Sequence, residues 1–177
     1  MNEISLALNL SSAEPDFDSL FLGQFNQVFS YVHRLVGDVS AAHRLSEETF
    51  DEMARYYRKS RTPHQPRTLL YLLATARARD YLRRGDKQPW WRRLLRAPAQ
   101  PAVEFTEAEV VGLTNDTGQR ALGTLEFGER VVLLLRDYCG LTYDEVARAA
   151  AIGRTSVPRD LDRARHEFKQ AYDYIRF

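Results

Sequence analysis

Eight basic side chains fall within twenty residues: Arg77, Arg79, Arg83, Arg84, Lys87, Arg92, Arg93 and Arg96, opposed in that stretch by Asp80 and Asp86. Such a run can neutralise several phosphates or meet an acidic protein surface, whereas a merely solvated helix mixes its signs more evenly. Residues 61–100 hold 10 basic and 2 acidic residues, while 1–60 hold 5 and 9 and 101–177 hold 10 and 13. With 25 basic against 24 acidic residues in all, the 177-residue chain is nearly neutral with a local attraction for a polyanion. That pattern argues against a nonspecific nucleic-acid binder. A second candidate set, Arg154, Ser156, Arg159 and Arg163, lies around the start and outer face of a C-terminal helical pattern. Arg154 suits a phosphate and Arg159 is the best placed to read a base edge. The same arginines read equally well as a solvated surface paired with Asp160, Asp162 or Glu167, and both readings stand at this point.

Enzymatic chemistry has no comparable footing. No phosphate-cradling glycine loop, HExxH pair or nucleophile elbow occurs, and the single cysteine, Cys139, excludes both a CxxC metal pair and an internal disulfide. Its neighbours Leu135, Tyr138 and Leu141 predict a buried thiol. His33, His43, His64 and His166 are scattered singly and read as surface or packing residues. On a helix, Glu47 and Asp51 share a face, as do Glu48 and Glu52, which predicts a solvated or protein-binding surface. No catalytic residue, cofactor or metal is expected. The N-terminal sequence lacks the basic opening and apolar run of a signal peptide, and no segment has the roughly 18 apolar residues needed to cross a bilayer. A cytoplasmic location without membrane insertion is expected.

The elements that must position these residues are all helical. A helix is predicted through Phe21, Phe25, Phe29 and Val32, interrupted at Gly37 and Asp38. A second starts near Ser40 and buries Leu45, Thr49, Phe50 and Met53, with Tyr56 and Tyr57 extending the contact. After Pro63 and Pro66 a third carries a predicted stripe of Leu69, Leu72, Leu73 and Ala76, leaving Arg77, Arg83 and Arg84 toward solvent or a ligand. Pro89, Pro98 and Pro101 surround a basic segment containing Trp90 and Trp91. This pair either anchors the connection on a domain or stacks near nucleic acid or a protein partner.

From residue 119 the helical pattern resumes. Gly140 ends one helix, Thr142 and Glu145 have the spacing of a capping box, and Val146, Ala147 and Ala150 face a core. A tight break at Ile152 and Gly153 precedes a longer helix with Val157, Leu161, Ala164 and Phe168 on one face, which is a helix-turn-helix pattern. Pro158 is tolerated because, after a cap at Thr155, its missing N–H would have no intrahelical partner. The expected fold is all-α: two small helical domains, residues 17–85 and 118–177, joined by a basic Pro/Trp-containing linker, 86–117, with the helix-turn-helix in the second.

Taken together and in order, these segments resemble the extracytoplasmic-function group of the bacterial sigma-70 family over about 20–84 and 119–171. HRLSEETFDEMARYY resembles its polymerase-binding helix, with Leu45, Glu48, Thr49 and Phe50 matching. RTLLYLLATARARDYLRR resembles its promoter-opening helix, retaining Leu70, Tyr71, Ala74, Arg77, Asp80, Leu82, Arg83 and Arg84. GLTYDEVARAAAIGRTSVPRDLDRAR resembles its recognition motif, retaining Gly140, Leu141, Tyr143, Glu145, Ala147, Ile152, Val157, Leu161, Arg163, Ala164 and Arg165.

The resemblance implies a sigma subunit that directs RNA polymerase to promoters. Its first domain would bind the polymerase clamp, through Leu45, Glu48 and Phe50, and capture a strand-separated minus-ten element. Its second would bind the flap and read the minus-thirty-five duplex. DNA contacts are expected from Arg77, Arg83, Arg84, Arg154, Ser156, Arg159 and Arg163. The RNA polymerase core and promoter DNA are the implied partners, an anti-sigma protein is a possible third, and no homo-oligomer is predicted. There are departures: Ala42, His43 and Arg44 replace an acidic run, Ala76 stands at a usual asparagine, and Pro158, Arg159 and Asp160 replace a Lys-Ser-Arg run. They motivate a second reading, a non-initiating regulatory protein that uses the same scaffold to bind polymerase or another protein.

Overall fold

The structure is a computed structural model that describes residues 16–59, 64–84 and 116–176. All regular secondary structure among them is helical, in two clusters joined by the linker. The first comprises α1 (Phe17–Val36), α2 (Val39–Arg58) and α3 (Pro66–Arg84). The second comprises α4 (Asp116–Thr124), α5 (Phe127–Leu133), α6 (Tyr143–Ala150) and α7 (Val157–Arg176). Trp90, Trp91 and the arginines and lysine between 87 and 96 lie outside the described residues.

The punctuation of the first cluster is local chemistry. Asp16 and Asp38 accept from the amides of Ser19 and Ala41 and so satisfy donors that a helix start leaves open. Gly37 takes φ 73°, a left-handed conformation that favours glycine, and its N–H closes α1 on the His33 carbonyl at 2.7 Å. Two residues then suffice to reverse the chain into α2. Leu45, Thr49, Phe50 and Met53 are buried as expected, while Phe21 and Tyr56 remain substantially exposed.

The predicted stripe of α3 is displaced. Leu70, Tyr71, Ala74, Thr75 and Ala78 are buried; Leu69 and Leu73 are half-buried against the core, Leu72 is intermediate and Ala76 is exposed. The reason is that α3 packs on α1 and α2 with one side and on α6 with another. A helix buried on two sides has no single apolar arc for its periodicity to report. Small residues at Ala74 and Ala78, together with the Tyr31 hydroxyl bonded to Thr75 Oγ1 at 2.7 Å, permit the close approach.

The two clusters share one apolar core, which runs from Val28, Leu35 and Tyr71 to Leu135, Leu141, Leu161 and Ala164. Polar bonds cross the junction as well. Arg130 donates from Nη1 to the Leu35 carbonyl at 2.6 Å and from Nη2 to the Leu125 carbonyl at 3.0 Å; Gln119 donates to the Arg34 carbonyl at 3.2 Å; Arg67 donates to the Cys139 carbonyl. The guanidiniums of Arg34 and Arg79 lie over the rings of Tyr138 and Phe127, at 4.6 and 5.4 Å. Burial lowers the Arg130 pKa to about 10, still far above neutrality, so it is a buried cation whose two amino groups are held by carbonyls. Cys139 is buried, and burial pushes its thiol up to about 12, which leaves it inert near neutral pH.

Two consequences are measurable. Arg130→Ala strands the Leu35 and Leu125 carbonyls in a dry junction and should cost about 2–4 kcal/mol in urea unfolding, with Arg130→Lys recovering part of the loss. His33 is 6% exposed and its Nδ1 has no hydrogen-bond partner. Burial, then the charge of Arg34, lower its pKa from 6.5 to about 4 against the opposing field of Asp38. The unfolded chain therefore binds this proton at a pH where the folded one does not. The contribution is complete above about pH 6.5 and is lost as pH falls toward 4, amounting to about 3 kcal/mol. Urea unfolding of His33→Phe should show a flatter dependence over that interval.

Candidate nucleic-acid and protein-binding surfaces

The helix-turn-helix is assembled from backbone caps. Thr142 receives the Glu145 amide, and Glu145 in turn accepts from the Thr142 amide and hydroxyl, both at 2.8 Å. Burial opposes ionisation of Glu145, but these bonds from Thr142 hold its carboxyl below the ordinary range. Before the cap, the helix that begins as α5 widens over Leu134–Tyr138, where Cys139 N–H reaches the Leu134 carbonyl at 2.8 Å, a π-type bond. Gly140, at φ 69°, ends it. The widened turn aims the Cys139 carbonyl at Arg67 of α3.

The reversal after α6 falls at the expected break, with Ile152 and Gly153 between the helices. Ala151 adopts the left-handed conformation, φ 55° and ψ 47°, while Gly153 has an ordinary φ of −66°. Ile152 N–H returns to the Ala147 carbonyl at 2.9 Å and its side chain packs on the core. A short 3-10 turn, Arg154–Ser156, leads into α7, so the α-helix starts at Val157 rather than after a cap at Thr155, and Pro158 is its second residue. Val157, Leu161 and Ala164 are fully buried, and Phe168 is partly so.

This packing turns the recognition-type arginines outward, yet each meets a carboxylate. Arg154 pairs with Asp144, Arg159 with Asp160 at 3.1 Å, and Arg163 with Glu129 of α5 at 2.8 Å. Arg165 holds Asp137 through two bonds, 2.8 and 2.6 Å, which raise its pKa. Ser156 Oγ donates to the Gly153 carbonyl. The structure thus brings Arg154, Ser156, Arg159 and Arg163 to one end and face of the domain, each with an internal partner. Of the pairings expected for Arg159 and Arg163, Asp160 is found; Glu129 and Asp144, remote in sequence, are partners that helical spacing within α7 does not reveal.

A second surface lies between α2 and α3. Arg44, Leu45, Glu48, Arg77, Asp80, Tyr81 and Arg84 line a groove of about 360 Å³. Arg77 is ion-paired with Glu48 at 3.3 Å and with Glu52. Arg83 and Arg84 are exposed on the last turn of α3 and have no ion pair among the described residues. Leu45 and Phe50 are buried, the latter ringed by Phe21 and Phe25, and Glu48 is the member of that trio with an exposed carboxylate. Of the DNA-contact candidates, Arg77, Arg83 and Arg84 therefore lie on the first cluster and the other four on the second. Among the described residues no group of acids, histidines and cysteine is arranged to hold a metal, and no helix is long and apolar enough to cross a membrane.

Comparison with known proteins bears on both clusters. Residues 119–167 match the family described as Sigma-70, region 4. This segment is a sigma-70 region-4-like domain. No curated protein sequence matches the chain. Among solved structures, the chain is similar to the sigma factor RpoE of Bartonella quintana, determined in complex with the anti-sigma factor NepR. The two share 13% identity and a TM-score of 0.69, over 89% of this chain and 97% of that one. The likeness shows a shared fold spanning both helical clusters.

The reversal supplies its own test. A left-handed alanine carries a Cβ against the following carbonyl, a cost glycine avoids, so Ala151→Gly should raise unfolding stability by about 0.5–1 kcal/mol in urea while leaving the helical circular dichroism unchanged.

Proposed function

We propose that the protein is an RNA polymerase sigma subunit, selecting promoters and promoting strand opening while the polymerase performs the chemistry. The observation that carries this reading is the region-4-like helix-turn-helix coupled, in one chain, to a three-helix cluster whose α3 ends in Arg83 and Arg84, exposed and without an ion pair among the described residues. The α7 face is assigned to duplex DNA, with Arg154 on phosphate and Ser156, Arg159 and Arg163 toward base edges. The end of α3, with Arg77, Arg83 and Arg84, is assigned to the opened strand, and Glu48, seated by Leu45 and Phe50, to the polymerase core. Such a subunit works in the cytoplasm as a monomer joining a larger complex. An anti-sigma protein, the kind of partner bound to RpoE in the similar structure, is a further partner on this reading.

One observation favours a second reading. Arg154, Arg159, Arg163 and Arg165 are already ion-paired with Asp144, Asp160, Glu129 and Asp137, so a sigma-shaped protein that binds polymerase without directing initiation would suit the same surface.

Initiation by the host's core polymerase from a genomic promoter library separates them, with core alone and an established sigma factor as controls. Protein-dependent transcripts preceded by a shared pair of upstream elements are expected. Core binding without such transcripts would establish the second reading, and absence of both would overturn the two together.

A further inference from the structure

The groove between α2 and α3 contains a chain of alternating charges. Arg44 donates to Glu48 Oε1 at 2.9 Å, Arg77 donates to Glu48 Oε2 at 3.3 Å, and the other amino group of Arg77 contacts Glu52. Both oxygens of Glu48 are thus occupied by cations of this chain, and Arg77 is divided between two carboxylates on successive turns of α2. The Glu48 side chain is 41% exposed and that of Arg77 26%, so an approaching protein meets the carboxylate first. Arg77 Nε is buried without a hydrogen-bond partner among the described residues, so the contacts of the guanidinium are made by its two amino groups, both on carboxylates.

Arg44 decides how firmly Glu48 is held. It stands where the resembling family carries an acid, and it pairs with Glu48 one turn away while lying 5.9 Å over the Tyr81 ring. An exposed pair of this kind is weak, so a cation on another protein can replace it at little cost. Arg84 lines the same groove two turns beyond Arg77.

We propose that Arg44, Glu48, Arg77 and Glu52 form a charge switch: a basic side chain of a protein partner docking on Glu48 releases Arg77 to a nucleic-acid phosphate, so that protein docking and phosphate binding strengthen each other. Neutralising Glu48 removes one of the two anions competing with phosphate for Arg77. Linkage then requires phosphate on Arg77 to expose Glu48 to the partner by the same factor. Naming the partner as the polymerase core rests on the sigma reading, whereas the competition between carboxylate and phosphate rests on the pairs themselves.

The switch predicts that Glu48→Gln mimics docking. A fluorescein-labelled single-stranded DNA of mixed sequence, followed by anisotropy at matched low salt, should bind the full-length Glu48→Gln protein about fivefold more tightly than wild type. Glu47→Gln controls for the added positive charge, because Glu47 pairs with His43 at 3.4 Å and not with Arg77; its gain should be well under twofold. Adding Arg77→Ala to Glu48→Gln should abolish the difference, and circular dichroism melting confirms that each variant is folded. Equal gains for Glu47→Gln and Glu48→Gln, a gain that survives Arg77→Ala, or no binding by any variant would overturn the proposal. Initiation by wild-type protein with core, run alongside, separates the two claims. Initiation without an Arg77-dependent gain sinks the switch and leaves the sigma reading standing. An Arg77-dependent gain without initiation or core binding supports the switch and sinks the sigma reading.

Discussion

The guanidinium of Arg130 sits at the carboxyl end of α1, where the last carbonyls of a helix lack partners of their own, and it bonds Leu35 there while holding Leu125 at the turn between α4 and α5. A buried cation is costly unless every polar neighbour is well placed, so its position constrains both helix ends at once. With Arg130 seated, Gln119 meets the Arg34 carbonyl and α6 settles on α3. Apolar contact makes the junction favourable, but it has no direction; carbonyl bonds give it one. The relative placement of Arg83 and Arg84 on one cluster and of Arg159 and Arg163 on the other follows from that choice.

The junction also explains the pattern of charge on the surface. Arg34, Arg67, Arg79 and Arg130 all lie at the meeting of the two clusters, over rings or on carbonyls. Planar, delocalised guanidinium groups suit such half-dry sites better than an ammonium would. A count of arginines therefore overstates the charge available to a polyanion. Arg154 of the 3-10 turn and Arg159, Arg163 and Arg165 of α7 lie toward solvent, yet each is answered by an acid from α5, α6, the widened turn or α7 itself. The end of α3 is different because Arg83 and Arg84 have no such answer among the described residues. The local excess of positive charge survives folding there.

Much of this was legible from residue types alone. Gly37 and Asp38 marked the first reversal, Thr142 and Glu145 the cap of α6, and Val157, Leu161 and Ala164 the buried stripe of α7, since each is a local rule read within one or two turns. Where two remote elements meet, local rules lost their purchase. The buried face of α3 shifted from Leu72 and Ala76 to Leu70, Tyr71, Ala74 and Ala78 because α6 covers a side that the first cluster alone would leave open. Arg130 looked like any other charged residue of an amphipathic helix, and Glu129 gave no sign of its pairing with Arg163, 34 positions away. The break at Ile152 and Gly153 was legible, but not that Ala151 would take the left-handed conformation, which follows from the closing bond of Ile152 N–H to the Ala147 carbonyl.

The contrast between the two arginine surfaces bears on how an almost neutral protein can use its charge. An arginine held by a carboxylate on its own domain contributes little long-range attraction, since the pair is a dipole that solvent and salt screen at short distance. It still retains the fork geometry needed for a phosphate or a base edge, so its acid acts as a competitor that a correctly shaped ligand displaces and a misplaced one does not. Such competition weakens every binding mode but penalises imperfect ones more, trading affinity for discrimination. On the proposed reading Arg83 and Arg84, without an ion pair among the described residues, work in the opposite sense, attracting any strand that comes near. On the sigma reading proposed above, joining the two kinds of surface through the Arg130 junction would let a general attraction at α3 act together with a selective face on α7, and selectivity would then reside in the carboxylates as much as in the arginines they restrain.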